Sequence, residues 1–411
     1  MYPTMFRIPY LPEWLADIKS YGVMMTIAFL SGIWMACRRA DRSKANADIV
    51  LNMGFIALIC GVAGARAMFV LHYWDTRFAT QSNPFLAIFD IRAGGLEFWG
   101  GPLLTIPALG IYLRYMAKAS VRWYLDITAP SLAWGLAITR IGCFLNGCCW
   151  GAVCVDHKNP TEIKAQYPWA VRFPYGSAAM VQQYRFGQLT LPKELIYLIE
   201  PVGEGIPLPA DWIQAAVHEG PDHRRQLEQH YQQAFNDLKA AHSAGTEGPA
   251  YQAAKEKEQA ARATLSSYSE TMAGRVDLHC RRNAMTLDEL AQLANFYRSR
   301  PVHPAQLYET ISALLICWLL IKLFYYRRRH GIVLPWFLIL YSISRVLHEA
   351  IRQDNPLDVG GLTISQAISA GTFLAGVFWL YIIYTRMPMV SPRVVPFEYP
   401  EEPPTATARK R

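Results

Sequence analysis

Charge is what this chain lacks over long stretches. Only 18% of its 411 residues are Asp, Glu, Lys or Arg, against 52% hydrophobic. The deficit is local: apolar segments of about 20 residues, the length that crosses a hydrocarbon core of roughly 30 Å, carry few ionisable side chains. Such segregation excludes a single soluble globular domain. Residues 211–300, rich in Gln, Ala, Glu, Lys and His, interrupt the pattern and read as one soluble insertion in a polytopic membrane protein. Acids are the scarcer sign, 32 against 40 Lys and Arg, for a formal charge of +8. The basic excess sits where topology would put it, so nothing points to nucleic acid. Also missing is a basic stretch followed by a compact apolar run at the start. Residues 1–19 hold Pro, Glu and Trp there, and no cleavable signal peptide is expected. No inverted repeat is apparent, which disfavours a small-molecule transporter.

Seven spans are predicted, near 21–35, 49–70, 103–115, 125–144, 304–325, 333–351 and 364–384. Arg38, Arg39, Arg42 and Lys44 follow the first. Arg114, Lys118 and Arg122 follow the third, and Lys322, Arg327, Arg328 and Arg329 follow the fifth. The tail ends Arg409-Lys410-Arg411. Read as cytoplasmic, these place the N-terminus outside and the C-terminus inside. The predicted fold is therefore an all-α polytopic membrane protein of seven transmembrane helices with a helical periplasmic insertion. Residues 1–145 hold the first four spans and an outer loop at 71–101, and an interfacial stretch with Tyr10 and Trp14 precedes the first span. Residues 146–302 form the periplasmic region, divided into an irregular or β-rich head at 155–210 and a helical insertion at 211–300. Residues 303–385 hold the last three spans, and 386–411 a disordered cytoplasmic tail.

Within the insertion, 169–174 reads as an extended edge because alternating apolar residues precede a Pro. From Trp212 the period turns helical, with a turn at 245–249, a second helix over 251–272, and a capping box at Thr286 and Glu289. A solvated spacer and an arm that docks a partner are the two readings of this hairpin.

Arginine at membrane depth carries the functional argument. Arg66, Arg140, Arg345, Glu349 and Arg352 fall in or beside apolar runs, and a mid-membrane Arg costs about 2.5–3.5 kcal/mol on insertion scales. Five such groups facing lipid would cost more than about 10 kcal/mol, so they must turn inward and pair. Arg345, Glu349 and Arg352 share one helical face. Glu349 neutralises one Arg, and the surplus positive charge calls for an anionic lipid headgroup, whose phosphate matches the guanidinium fork. His303, Gln306, Tyr308 and Glu309 lie on the same predicted side and supply acid–base and hydrogen-bonding groups. Glycines at 94–95 and 100–101 suggest backbone near membrane depth beside a protein wall or wet cavity.

Cys143, Cys148, Cys149 and Cys154 crowd one short stretch. Three readings stay open: a disulfide, either within the stretch or to Cys280; free thiols packed as small apolar side chains; and a metal site. The adjacency of Cys148 and Cys149 and the absence of a standard zinc spacing count against the last.

The run from Arg140 to Gly147 resembles the signature of the bacterial prolipoprotein diacylglyceryl transferases. So do Gly94-Gly95-Leu96 with Gly100-Gly101, the segment from His303 to Glu309, and the Arg345/Glu349/Arg352 face; Tyr21-Gly22 and Gly64-Ala65-Arg66 also fall where that family has similar residues. The resemblance covers the spans, not residues 211–300 or the tail. It implies an enzyme of the bacterial cytoplasmic (inner) membrane. That enzyme transfers the diacylglyceryl group of phosphatidylglycerol to the lipobox cysteine in a prolipoprotein signal peptide. It further implies Arg140, Arg345, His303 and Glu309 as catalytic residues, and Tyr21, Arg66, Gly95, Asn146, Gly147, Gln306, Tyr308, Glu349 and Arg352 as substrate-binding ones. No metal or soluble cofactor is implied, and contact with export machinery through 211–300 is an expectation. Four positions depart from the family pattern: Thr139 for Gly, Cys143 for Asn, Cys148 for Glu, and Trp99 where some members carry a His proposed as base. The last moves the expected thiol activation to His303, Glu309 or the field of the arginines. The alternative is a non-catalytic paralogue that binds lipid or precursor.

Overall fold

A computed structural model describes residues 4–7, 17–79, 84–89, 95–155, 166–199, 203–219, 223–243, 249–352 and 363–387. The stretch with Tyr10 and Trp14, Gly94, most of the 245–249 turn and the tail from 388 lie outside the described residues. Internal packing divides the chain into two units, Tyr2–Gly151 with Pro304–Arg411, and Ala152–His303.

The first unit is built on α1 (Ser20–Arg42), α2 (Ala47–His72), α3 (Pro84–Phe89), α4 (Gly100–Ile111) and α5 (Val121–Asn146), preceded by a short antiparallel pair, β1 (Thr4–Arg7) and β2 (Asp17–Lys19). After the second unit the chain returns in α12 (Ala305–Tyr326), α13 (Val333–Glu349) and α14 (Ile364–Arg386). Every predicted span falls on a helix. Five are long and apolar enough to cross a membrane: α1, α2, α5, α12 and α14. The other two are shorter, 12 residues in α4 and 17 in α13. Pro107 lies inside α4, which continues as a π-helical turn over Tyr112–Met116. Outward faces are apolar, as a lipid-facing surface requires, with Phe55, Ile59, Leu374 and Phe378 all largely exposed.

Helix α5 is the central strut. It packs against α1, α12 and α13, while α2 pairs with α4 and α13 with α14. Its 26 residues make a rod of roughly 39 Å at 1.5 Å per residue. One end anchors the core, where Trp123, Tyr124, Ile127, Leu320, Phe324 and Val333 are buried together. At that end Asp126 accepts from the backbone N–H groups of Gly331 (2.7 Å) and Val333 (2.8 Å) and pairs with Arg327 at 3.3 Å. That carboxylate satisfies N–H groups that the start of α13 would otherwise leave unpaired. Two arginines counted above as loop charges are therefore structural. Arg327 is buried on Asp126, and Arg39 is buried, donating to the carbonyl of Ile127 (2.5 Å) and to Ser131 Oγ (3.3 Å). Helices α2 and α4 cross at Gly64 and Gly100, where a methyl on either would overlap the other's backbone carbonyl. Small residues set this approach.

The second unit contains α6 (Ala178–Arg185), the hairpin β3 (Ile196–Ile199) and β4 (Glu204–Pro207), α7 (Ala210–Glu219), α8 (His223–Ser243), α9 (Pro249–Glu270), α10 (Met272–Arg282) and α11 (Leu287–Phe296). The extended edge at 169–174 exists: Val171 and Val302 exchange backbone hydrogen bonds at 3.0 Å each way. The capping box opens α11, with Thr286 N–H donating to Glu289 Oε2 at 2.8 Å and Glu289 N–H to Thr286 Oγ1 at 3.2 Å. The second predicted helix ends at Glu270, two residues early, because Thr271 caps α10 by accepting from Gly274 N–H at 3.1 Å. Leu195, Leu208, Ile213, Val276, Cys280 and Leu290 form a buried core. The unit thus has a buried core of its own, with the α8–α9 hairpin as its solvated part.

Candidate active site

Arg140 sits in the last two turns of α5, and Glu309 in the first two of α12. Gln306, one turn earlier on α12, donates through Nε2 to the carbonyl of Cys148 at 2.7 Å. Thr310 donates to the Ala137 carbonyl at 3.4 Å. These bonds fix the level at which the two helices meet, and Glu309 therefore faces Arg140 directly. One oxygen of Glu309 pairs with Arg140 Nε; the other lies 3.1 Å from Arg345 Nη1 and 3.9 Å from Arg352 Nη1. Arg345 also holds Glu349 at 3.0 Å and donates to Ser365 Oγ at 2.7 Å, which ties in α14.

Three arginines from α5 and the α13 region thus converge on one carboxylate. Their side chains are 17%, 14% and 6% exposed for Arg140, Arg345 and Arg352, so none snorkels away from the bundle. The expectation that Glu349 alone would offset the arginines is corrected, because Glu309 supplies a second anion. Three guanidiniums against two carboxylates leave one net positive charge. Arg352 lies past the end of α13, held by a bridge to Gly151.

Beside the cluster is a cavity of about 20 Å³ lined by Leu136, Arg140, Glu309, Tyr341, Arg345 and His348. That is room for roughly one water. His348 is not among the residues expected at the site from sequence. Its Nε2 lies 2.9 Å from Ser312 Oγ, and its buried Nδ1 has no hydrogen-bond partner among the described residues. A signal existed, since a His beside Glu349 in an apolar helix is itself an intramembrane ionisable group.

Tyr21 packs on Gly142, where a Cβ would lie 3.4 Å from its ring. Its hydroxyl is within electrostatic reach of Arg140 and of Cys143, Cys148 and Cys149. Asn146 ends α5. Gly147 follows at φ 73°, a left-handed cap that a side chain would strain. It turns the chain so that Cys148 N–H donates to the carbonyl of Cys143 at 3.2 Å. Tyr308 is half-buried on the first turn of α12. Arg66 spends its donors on backbone carbonyls of Ala87 (2.8 Å), Ile88 (2.7 Å) and Gly95 (3.0 Å), which organises the loop before α4. Trp99 is exposed at the start of α4. His303 belongs to the other unit, with its N–H on the Ala152 carbonyl (3.0 Å) and its ring 5.3 Å from that of Tyr167. All eight cysteines are free thiols, so the disulfide reading does not describe this structure.

Fold and site together define an all-α membrane protein whose apolar helices enclose a net-positive arginine–glutamate cluster. A family model described as prolipoprotein diacylglyceryl transferase matches residues 9–382. The chain belongs to that family. It is 31% identical over 199 residues to the phosphatidylglycerol–prolipoprotein diacylglyceryl transferase of Aliivibrio salmonicida, covering 48% of this chain and 63% of the relative. The Proteus mirabilis protein of the same name is 33% identical over 186 residues, 44% of this chain and 55% of the relative. The Rhodopirellula baltica one is 30% identical over 174 residues, 42% and 33%. The chain thus matches between a third and just under two thirds of these curated relatives' own length.

Proposed function

We propose that the protein transfers the diacylglyceryl group of phosphatidylglycerol to a prolipoprotein, as the relatives' names state for them, and that the acceptor is the prolipoprotein's lipobox cysteine. The observation that carries this reading is the convergence of Arg140, Arg345 and Arg352 on Glu309. A phosphodiester headgroup that enters between these groups takes over part of what Glu309 now neutralises, and the surplus positive charge favours that exchange. The substrate thiolate attacks the glycerol carbon that bears the phosphate ester. A C–S bond forms, the C–O bond breaks with its electron pair going to the phosphate oxygen, and glycerol phosphate leaves. Arg140 and Arg345 stabilise the charge that grows on the leaving phosphate, while Tyr21 and Asn146 orient the headgroup.

The thiol proton needs an acceptor. His348 is best placed for it, because it lines the cavity with Arg140, Glu309 and Arg345 and keeps Nδ1 unengaged. Glu309 is committed to its arginines. The guanidiniums add a field that lowers the thiol pKa.

The reading further places the chain in a bacterial cytoplasmic membrane with seven spans, the N-terminus outside and the C-terminus inside. The unit Ala152–His303 then lies on the periplasmic side, where its α8–α9 hairpin contacts precursor or export machinery.

Vesicles containing phosphatidylglycerol, a lipobox peptide and the purified chain test the central claim. Thioether-linked product is expected, and Arg140→Ala or Arg345→Ala should reduce turnover by about 100-fold or more. Well-folded protein that binds the lipid and forms no product would favour the paralogue that only binds lipid or precursor.

A further inference from the structure

The two signature positions that depart from the family toward cysteine, 143 and 148, meet in space, and Cys149 joins them. The three Sγ atoms all lie within 4.8 Å of one another. Cys143 is buried on the last turn of α5; Cys148 and Cys149 are half-buried just beyond it. A metal–sulfur distance of about 2.3 Å puts three thiolates of a trigonal-planar site roughly 4 Å apart. The cluster therefore needs only a small contraction to close on an ion.

The objection from sequence was that adjacent cysteines do not readily share one ion. The backbone removes it. Gly147 reverses the chain at φ 73°, and Cys149 itself adopts φ 61°, a left-handed conformation rare for a residue with a Cβ. With the first reversal Cys148 folds back onto Cys143, and its Sγ lies 3.7 Å from the Cys143 carbonyl. The second brings the Cys149 sulfur to the same point. Left-handed strain of this kind gathers where a site is built. Gln306, 1% exposed, braces the turn through the Cys148 carbonyl, while its Oε1 has no partner among the described residues.

Charge and donor set narrow the ligand. No His, Asp or Glu of the described residues joins the three sulfurs as a fourth donor. All-thiolate, three-coordinate sites select soft cations, and monovalent copper accepts that geometry where zinc completes a tetrahedron. Three thiolates around one monovalent ion carry two net negative charges. Arg140 and Arg352 lie within electrostatic reach of Cys149 and offset that charge. We propose that Cys143, Cys148 and Cys149 form a three-coordinate thiolate site for monovalent copper at the mouth of the arginine cluster. Binding releases the thiol protons and involves no change of oxidation state. The site stands independently of the transferase reading.

The test uses the full chain in detergent micelles, anaerobic and reduced, titrated with copper(I) against a chromophoric copper(I) chelator. One equivalent is expected to resist the chelator. Cys143→Ser, Cys148→Ser and Cys149→Ser should each weaken binding by on the order of 100-fold or more, while Cys60→Ser on α2 leaves it unchanged. X-ray absorption of the copper-loaded wild type, which needs no variant, should show three sulfur neighbours at one distance. The proposal is overturned by failure to bind copper(I), by serine variants that keep the parental affinity, or by uptake of zinc in preference to copper(I). Thiol counting that finds two of the three cysteines disulfide-bonded in the purified chain would overturn it too.

Discussion

Glu309 lies 3.1 Å from Arg345 through one carboxylate oxygen while the other oxygen is held by Arg140. One carboxylate thus joins α12 to α5 and α13 at the level where the site is built. An anion that binds there competes with it, so the group that preorganises the arginines also limits how tightly they hold a ligand. Removing a partner from a buried ion pair costs about 3–5 kcal/mol, because uncompensated charge stays behind. Glu309→Ala should therefore lower the unfolding temperature sharply in a fixed detergent, and Glu309→Gln by less. Added phosphatidylglycerol should restore the Ala variant more than the parent, since the lipid phosphate takes the vacated place. An unchanged unfolding temperature in Glu309→Ala would remove the carboxylate from its position as hub.

His348 gives a kinetic prediction. A general base that must be neutral to act produces an acid limb, with activity rising as pH rises through its pKa. Arg140 of α5, Glu309 of α12 and Arg345 of its own helix α13 surround the imidazole electrostatically, and Ser312 holds its Nε2. His348→Gln should lower kcat by about 100-fold and abolish the acid limb, with KM for lipid little changed. A variant within threefold of the parent and with the same pH profile would return the role to His303 or to the arginine field.

The helix crossing offers a paired test in one element. Gly100 meets the backbone of Gly64, whereas Gly110, near the other end of α4, has nothing within 4 Å of where a Cβ would stand. Gly100→Ala should destabilise by about 1–3 kcal/mol through overpacking. Gly110→Ala should be neutral or stabilise by about 0.5–1 kcal/mol, since Ala restricts the unfolded chain and suits a helix better. Thermal unfolding of the two variants side by side decides it, and equal effects would mean that the crossing is not set by those glycines.

The five long apolar helices were legible because apolar length is a one-dimensional signal, and so was the pairing of Arg345 with Glu349, which needs only the helical period. The position of Glu309 was less so. Its residue type and segment were evident, but a neighbour of both Arg140 and Arg345 is fixed by the register of α12 on α5, through Gln306 and Thr310, which no local pattern encodes. Asp126 is a similar case: it caps a helix some two hundred residues further along the chain. The cysteine cluster was hidden for a different reason. Its closure depends on two consecutive left-handed turns, one at a glycine and one at Cys149, and cysteine carries no propensity that announces the second.

The hairpin of the second unit allows a deletion that separates docking from chemistry. Ring contacts between His223 and Tyr268 (5.2 Å) at its base and between His242 and Tyr251 (5.9 Å) near its tip set the register of α8 on α9. Residues 231 and 260 therefore face each other. The base is tied to α10 by Arg224 with Asp277 (3.3 Å) and Arg281 with Glu228 (3.1 Å). Replacing 232–259 with a short Gly-Ser linker removes the distal hairpin and keeps those pairs and the buried core. If the hairpin delivers precursors, lipidation of a full-length prolipoprotein in cells should fall several-fold, while transfer to a short lipobox peptide in vesicles stays at the parental rate. Equal loss in both assays would mean that the truncation damages the enzyme itself. Full activity in both would mean that the distal hairpin is a solvated spacer with no part in substrate capture.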